Sequence, residues 1–264
     1  MYNFCKNSQG FSAVDAKPFV VRLLEVEETD STNSLLERLS RAQELAEGTV
    51  VSARYQTAGR GQAGRQWYSD AGCNVLISLL LRPVFLQPRH QFFLNQALAL
   101  AIADTVRHFM PGHTVAVKWP NDVLLNGKKV AGLLLECQLE GNSFRQVISG
   151  IGLNVNQPQF PPSLPLATSF LLESDRWNDP EQVRSHLLQE IGNRYAQLSH
   201  GAYERIGKEY MKNLYGLEQM LAFRSGDRRF RGKITGLSAE GKLIIDTGAE
   251  HEVFGFKEVE FLQS

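Results

Sequence analysis

Gln56-Thr57-Ala58-Gly59-Arg60-Gly61-Gln62-Ala63-Gly64-Arg65-Gln66-Trp67 sets three glycines, two arginines and an indole within twelve residues. Gly59, Gly61 and Gly64 satisfy a G-x-G-x-x-G pattern, by itself a weak sign of dinucleotide binding. A dinucleotide loop opens directly into a helix. Here Gln66 to Cys73 is polar, contains Gly72 and leads into Asn74 to Arg82, an apolar run with the character of a buried strand. A kinase glycine loop does lie between strands, but His-Arg-Asp and Asp-Phe-Gly are both missing from this sequence. A solvated surface loop is the common reading of such a polar stretch. Against it stand the length of the segment from Thr57 to Gly72 and the clustering of its arginines with Trp67. Glycines let backbone amides approach a phosphate, Arg60 and Arg65 supply fixed donors, and Trp67 offers a face to a ring.

Outward from this loop, strand and helix signals alternate. Phe19 to Val26 reads as a strand, and Val50 to Gln56 as the strand that enters the loop. Between them Leu35, Leu36, Leu39, Ala42, Leu45 and Ala46 recur at helical spacing behind the polar run Asp30 to Ser34. Beyond the loop, the apolar positions from Phe92 to Phe109 give a second helix, ended by Pro111-Gly112. Strands follow over His113 to Lys118, Val123 to Leu125, Lys129 to Leu139 and Phe144 to Val155, with Asn126-Gly127 and Gly141-Asn142 as hairpin turns. This order predicts an α+β domain built on a sheet. Pro158, Pro161, Pro162 and Pro165 mark an irregular connection to helices over Glu181 to Leu198 and Tyr203 to Leu214. Short alternating strands from Leu217 to Leu262, with turns at Ser225-Gly226, Glu240-Gly241 and Thr247-Gly248, predict a small β-barrel. The chain thus divides into an extension over 1–18, a sheet domain over 19–215 and a small domain over 216–264.

Composition narrows the classes of function. The 264 residues are 43% hydrophobic and 21% charged, the range of an ordinary globular chain. Basic and acidic residues number 28 each, so no whole-molecule field gathers nucleic acid or anionic membrane, and any anion site is local. Cys5, Cys73 and Cys137 are odd in number, lack metal-ligand spacing and suit a reducing, cytoplasmic setting. Met1 to Pro18 has no run long enough for a signal peptide, and no segment approaches the roughly 18 apolar residues of a membrane span.

Three further constellations carry chemistry. Lys118-Trp119-Pro120-Asn121-Asp122 is followed by Lys128-Lys129 and Ala131-Gly132, bringing lysines and a carboxylate together across a hairpin. Strand alternation lets Lys118 and Lys129 share a cleft where a carboxylate meets a phosphate, and Asp122 is a candidate Mg2+ ligand. Lys128 also reads as an edge-strand lysine kept outward against aggregation. In Ser149-Gly150-Ile151-Gly152-Leu153-Asn154-Val155-Asn156 the paired glycines strip side chains from one stretch of strand, either for a bulge or for a close approach. Ser31-Thr32-Asn33 are preferred helix N-caps, a role compatible with ligand binding.

Together Asp30-Ser31-Thr32-Asn33, Gln56 with Gly59 to Trp67, Lys118 to Asp122 and Gly150 to Asn156 resemble, in order, the signature motifs of biotin protein ligases. The resemblance covers about Val20 to Asn156 and extends more weakly through the C-terminal unit. It implies a mixed-sheet catalytic domain of the biotin/lipoate ligase type followed by an SH3-like barrel. It also implies ATP-dependent formation of biotinyl-5'-adenylate, with Mg2+, and transfer of biotin to a lysine of a biotin carboxyl carrier domain. By that resemblance Ser31, Thr32, Asn33, Gln56, Arg60, Gly61, Lys129, Gly132 and Gly152 meet biotin. Arg60, Gln62, Arg65, Trp67, Lys118, Asn121 and Asn154 meet ATP or the adenylate, and Arg60, Lys118, Asp122 and Lys129 form the catalytic set. Gln62 departs from the family pattern, which often has Arg there, and so carries one charge fewer. About 18 residues precede the first strand, too few for the DNA-binding winged helix of some members, so DNA is not an expected partner. A homodimer is left open. The rival of the same fold is a lipoate or octanoate ligase or transferase, against which the Gly59 to Trp67 run and Ser31-Thr32-Asn33 favour biotin.

Overall fold

The structure, a computed structural model, describes residues 20–262. Cys5 and the start of the first expected strand, from Phe19, lie outside that range. Seven strands form one mixed sheet: β1 (Arg22–Thr29), β2 (Thr49–Gln56), β3 (Val75–Leu81), β4 (Val115–Lys118), β5 (Asp122–Leu125), β6 (Lys128–Glu140) and β7 (Ser143–Leu153). Their spatial order is β1-β2-β3-β7-β6-β5-β4. Only β1 and β2 run parallel, because the helix α1 (Thr32–Ala42) carries the chain back between them. The remaining neighbours are antiparallel. The turn expected at Asn126-Gly127 is present with positive φ at both residues, the geometry a two-residue hairpin demands.

Helix α1 stops at Ala42, although the helical spacing runs on to Ala46. The chain must instead turn through Gly48, at φ +84°, to enter β2, and Leu45 reaches the core from this irregular segment. α1 covers half of one sheet face through a cluster of Leu24, Leu35, Leu36, Leu45, Val51, Leu80 and Ile148. The opposite face carries α2 (Gln91–Phe109), which is apolar nearly all round because it is buried on every side. β4 to β6 lie beneath it, and α4 (Pro180–Ser199) and α5 (Tyr203–Lys212) lie over it. A short helix, α3 (Phe170–Ser174), was not foreseen in the irregular proline-rich segment, since five residues carry no periodic signal.

The last strands, β8 (Met220–Ser225), β9 (Arg228–Leu237), β10 (Leu243–Asp246), β11 (His251–Phe254) and β12 (Glu260–Phe261), form an antiparallel sheet in the order β11-β10-β9-β8-β12. The expected barrel is therefore an open sheet, since among the described residues no ladder joins β11 to β12. Its inner side, with Phe223, Ile234, Leu243 and Ile245, is continuous with the core around α2. Among the described residues no helix is long and apolar enough to cross a membrane, and Cys73 and Cys137 are free thiols.

Leu98 of α2 is fully buried in this core. Leu98→Ala is expected to cost about 2–5 kcal/mol of stability by leaving a cavity. Urea unfolding checks this as a fall in midpoint at unchanged slope, and an unmoved midpoint would remove α2 from its place at the centre of the core.

Candidate functional site

Strand alternation puts three rows of residues on the face that α1 only half covers. Leu76, Gly152 and Gly132 are neighbours across β3, β7 and β6; Ser78, Gly150 and Leu134 form the next row; Leu80, Ile148 and Glu136 the third. Where α1 ends its cover, the glycines leave a floor without side chains. The cleft above it encloses about 440 Å³, part of it open to solvent, and is lined by Ser31, Thr32, Asn33, Gln56, Arg60, Gly61, Gln62, Trp67, Asn121, Lys129, Gly132, Gly150 and Gly152 among others.

Each β7 glycine receives a different side chain. A Cβ on Gly152 would lie 2.3 Å from Trp67 Cε2, and one on Gly150 would lie 2.2 Å from Asn33 Oδ1. The indole of Trp67 therefore rests on the Gly152 backbone, with Gly132 beside it and Lys129 Nζ 5.6 Å from the ring centroid. Its Nε1 is buried and has no acceptor. Orphaned buried donors are rare and cost about 1–3 kcal/mol, so this N–H points to an acceptor that a ligand brings.

Trp67 reaches the floor because the loop between β2 and β3 doubles back as a tight hairpin. Trp67 N donates to Gly59 O at 2.8 Å, Gly61 N donates to Arg65 O at 2.7 Å, and Gln62–Gly64 forms the turn. Here the glycines serve the hairpin itself: a Cβ on Gly59 would meet Trp67 O at 2.6 Å, and Gly64 takes φ +77°. The amides of Gly61 and Trp67 are thus consumed within the loop.

At the Gly150 end the site is polar, with the Arg60–Glu136 ion pair beside the first turn of α1. Ser31 occupies the N-cap position of α1 without a side-chain capping bond, and Asp30 accepts from its amide instead. Arg38 clamps Asp30 at 2.7 and 2.8 Å and holds its carboxyl well below the usual range. Capping therefore leaves the Ser31 and Thr32 hydroxyls at the cleft. Gln56 Oε1 accepts from the Thr32 amide at 2.8 Å and lies 3.1 Å from the Thr32 hydroxyl. Ser78 Oγ lies 2.5 Å from Asn33 Oδ1, which can only accept, and 2.7 Å from Thr32 Oγ1. Asn33 Nδ2 donates to Glu136 Oε2 at 2.7 Å, so both ends of this amide are engaged with protein. Ser78 and Glu136 had no signal in the sequence beyond their strand positions, which become meaningful only once the register is known.

At the Gly132 end the site is charged. Lys129 Nζ lies 2.7 Å from Asp122 Oδ1, and Lys118 stands opposite Asp122 in the ladder. Desolvation lowers the Lys118 pKa; Asp122 works against this, and the charges of Lys129 and Arg65 add to it. Lys118 Nζ also sits 4.9 Å from the centroid of Phe261, so the C-terminal sheet packs against this lysine. Lys128 turns outward to Glu173 at 3.3 Å, but β6 lies between β7 and β5, so it is not the edge-strand lysine expected from the sequence. Asn121 lines the cleft while its Nδ2 donates to Leu133 O. Trp119 donates to Gly241 O at 2.9 Å, anchoring this turn to the second sheet. Asn154 is not brought to the cleft: it is 2% exposed and its Nδ2 donates to Thr168 O at 3.0 Å. Among the described residues no three His, Cys, Asp or Glu side chains group as a metal site. Asp122 is a single carboxylate already paired with Lys129, a donor set that suits a Mg2+ arriving with phosphates rather than a resident ion.

The cleft thus joins a polar pocket to a charged one across a glycine floor. The model described as the Biotin/lipoate A/B protein ligase family matches residues 25–154. A biotin–[acetyl-CoA-carboxylase] ligase of Paracoccus denitrificans is 35% identical, the match covering 88% of this chain and 98% of that protein. The chain belongs to the biotin protein ligase family. A bifunctional ligase/repressor of Bacillus subtilis is 37% identical over 76% of this chain, which spans 62% of that relative's length. Among solved structures, the biotin protein ligase of Aquifex aeolicus in complex with biotin and ATP superposes with a TM-score of 0.76 at 27% identity, covering 92% of this chain and 99% of that one.

The Trp67 contact gives a direct test. Gly152→Ala is expected to expel the indole from the floor, since nothing about a β-strand lets a methyl share space with a ring at 2.3 Å. Tryptophan emission should shift to the red, and the shift should vanish in a Trp67→Phe background. Unchanged emission would mean that Trp67 does not rest on Gly152.

Proposed function

We propose that the chain joins biotin to ATP, giving biotinyl-5'-adenylate and pyrophosphate, and then transfers biotin to a lysine of a biotin carboxyl carrier domain. The observation that carries this reading is the two-ended cleft: neutral donors and acceptors at Ser31, Thr32 and Gln56, the cation Lys129 with Asp122 beside it, and glycines between. A ureido ring has N–H donors and a carbonyl acceptor to match the first end. A carboxylate approaching an α-phosphate needs the second, because two anions meet there.

In the first step a biotin carboxylate oxygen attacks the α-phosphorus and pyrophosphate leaves. Lys129 and Arg60 offset the developing charge at the reacting groups, while Arg65 and Lys118 balance the phosphates and Trp67 packs on the adenylate. Holding these groups in fixed positions removes the reorganisation that solvent would need to meet the same charge. In the second step the lysine amine attacks the mixed anhydride and AMP leaves. Asp122 is the carboxylate we assign to the incoming amine. Mg2+, entering with ATP, would be held by Asp122 and would neutralise phosphate charge. We assign the ligase core to 19–215 and the SH3-like unit to 216–264, in a cytoplasmic enzyme.

The test is pyrophosphate release from ATP, assayed separately with biotin, lipoate and octanoate; release with lipoate or octanoate but not biotin would transfer the chain to the rival activity. Lys129→Ala and Arg60→Ala are each expected to slow biotin-dependent release about 10²- to 10³-fold with the fold intact. Near-normal release by both would remove them from the chemistry. Gln62→Arg adds the charge this chain lacks in the loop, and should slow escape of preformed adenylate by about tenfold or more if the new guanidinium reaches a phosphate. Equal release rates in a chase with unlabelled biotin and ATP would show that position 62 does not hold the intermediate.

A further inference from the structure

Glu136 belongs to none of the motifs that define the site, yet it touches two of their residues. Its Oε1 lies 2.5 Å from Arg60 Nη2, and its Oε2 accepts from Asn33 Nδ2 at 2.7 Å. The other Arg60 nitrogen, Nη1, reaches Ser34 Oγ at 3.3 Å. One carboxylate on β6 thus ties the β2–β3 loop to the first turn of α1. The tie continues inward, from Asn33 Oδ1 to Ser78 on β3 and from Ser78 to Thr32, whose amide is bound to Gln56. Gly150 exists in this arrangement to admit Asn33, since a Cβ there would overlap its Oδ1.

Stability does not account for the pair. The Arg60 and Glu136 side chains are 44% and 33% exposed, and ion pairs in such settings contribute little. What the carboxylate does is fix direction. Arg60 is a long, flexible side chain on a hairpin loop, and two contacts from one side hold its guanidinium against the wall of the cleft. The same carboxylate fixes which way the Asn33 amide faces, and through Ser78 it orients the Thr32 hydroxyl.

We propose that Glu136 is a positioning residue for the ligation reaction: it holds Arg60 in the orientation that meets the ligand and couples that orientation to the Thr32 and Gln56 end of the cleft. The inference rests on the ligase reading of the site. Ligand contact falls to Arg60; Glu136 acts through it.

A double-variant cycle tests this on the full chain, using biotin-dependent pyrophosphate release. Glu136→Ala is expected to lower kcat/KM about tenfold or more when Arg60 is present, but less than about threefold in an Arg60→Ala background, because the group it positions is then gone. Glu136→Gln, which keeps an oxygen for Arg60 without the charge, should lose less than Glu136→Ala, and its own cycle with Arg60→Ala decides the matter if the alanine variant does not fold. A thermal melt unchanged by Glu136→Gln would support positioning over a structural role. Equal losses in both backgrounds, or no loss at all, would overturn the assignment. The wild-type rate is read separately: a chain that releases no pyrophosphate with biotin overturns the ligase reading and this inference with it.

Discussion

The site depends on a steric constraint at one point of the central sheet: the backbone of β7 at Gly152 lies against the Trp67 indole with no room for a methyl group. Gly152 faces Gly132 on β6, so two neighbouring strands give up their side chains at the same place. Interiors pack like solids, and a bare patch of this kind must be covered by something flat. Here the indole covers it, delivered by a loop whose own glycines let it fold back sharply. Two residues along β7, Gly150 repeats the device for Asn33. The first turn of α1 and the arginine loop are thus brought to the same floor.

On that floor the two ends differ in character for reasons that lie in the chain. Hydroxyls and amides come from the start of α1 and the end of β2, where Asp30 has taken over the fixing of the helix start and Ser31 is released from it. Cations come from the β4–β6 hairpins, whose antiparallel pairing sets Lys118 opposite Asp122 and Asp122 beside Lys129. Trp67 spans the middle with an unsatisfied N–H.

The C-terminal sheet is coupled to this chemistry through packing. Phe261 lies under the Lys118 ammonium, Trp119 bonds Gly241, and Phe256 packs at a tilt against both Phe92 and Trp119. Gly241 at φ +82° packs so closely on Phe92 that a Cβ would fall 2.1 Å from its ring.

The periodic elements, the α+β order, the Asn126-Gly127 hairpin and most of the cleft-lining residues were legible in the sequence itself, because helical and strand periods and turn chemistry are local properties. The register of β6 was not. Strict alternation would put Lys128, not Lys129, on the face of Gly132; a shift between Val123 and Leu124 in the β5–β6 ladder reverses the parity, burying both Val130 and Ala131 and turning Lys129 into the cleft. The roles of Ser78 and Glu136 likewise appeared only when β3, β7 and β6 were laid side by side. Asn154, which reads like its neighbours in the glycine motif, is drawn into a buried bond with Thr168. Sequence fixes which residues share a local conformation, whereas contacts between strands far apart in the chain are settled by pairing register and by which gaps the packed side chains must fill. That is why the motifs could be read from the chain, while the carboxylate that joins two of them emerged only from the fold.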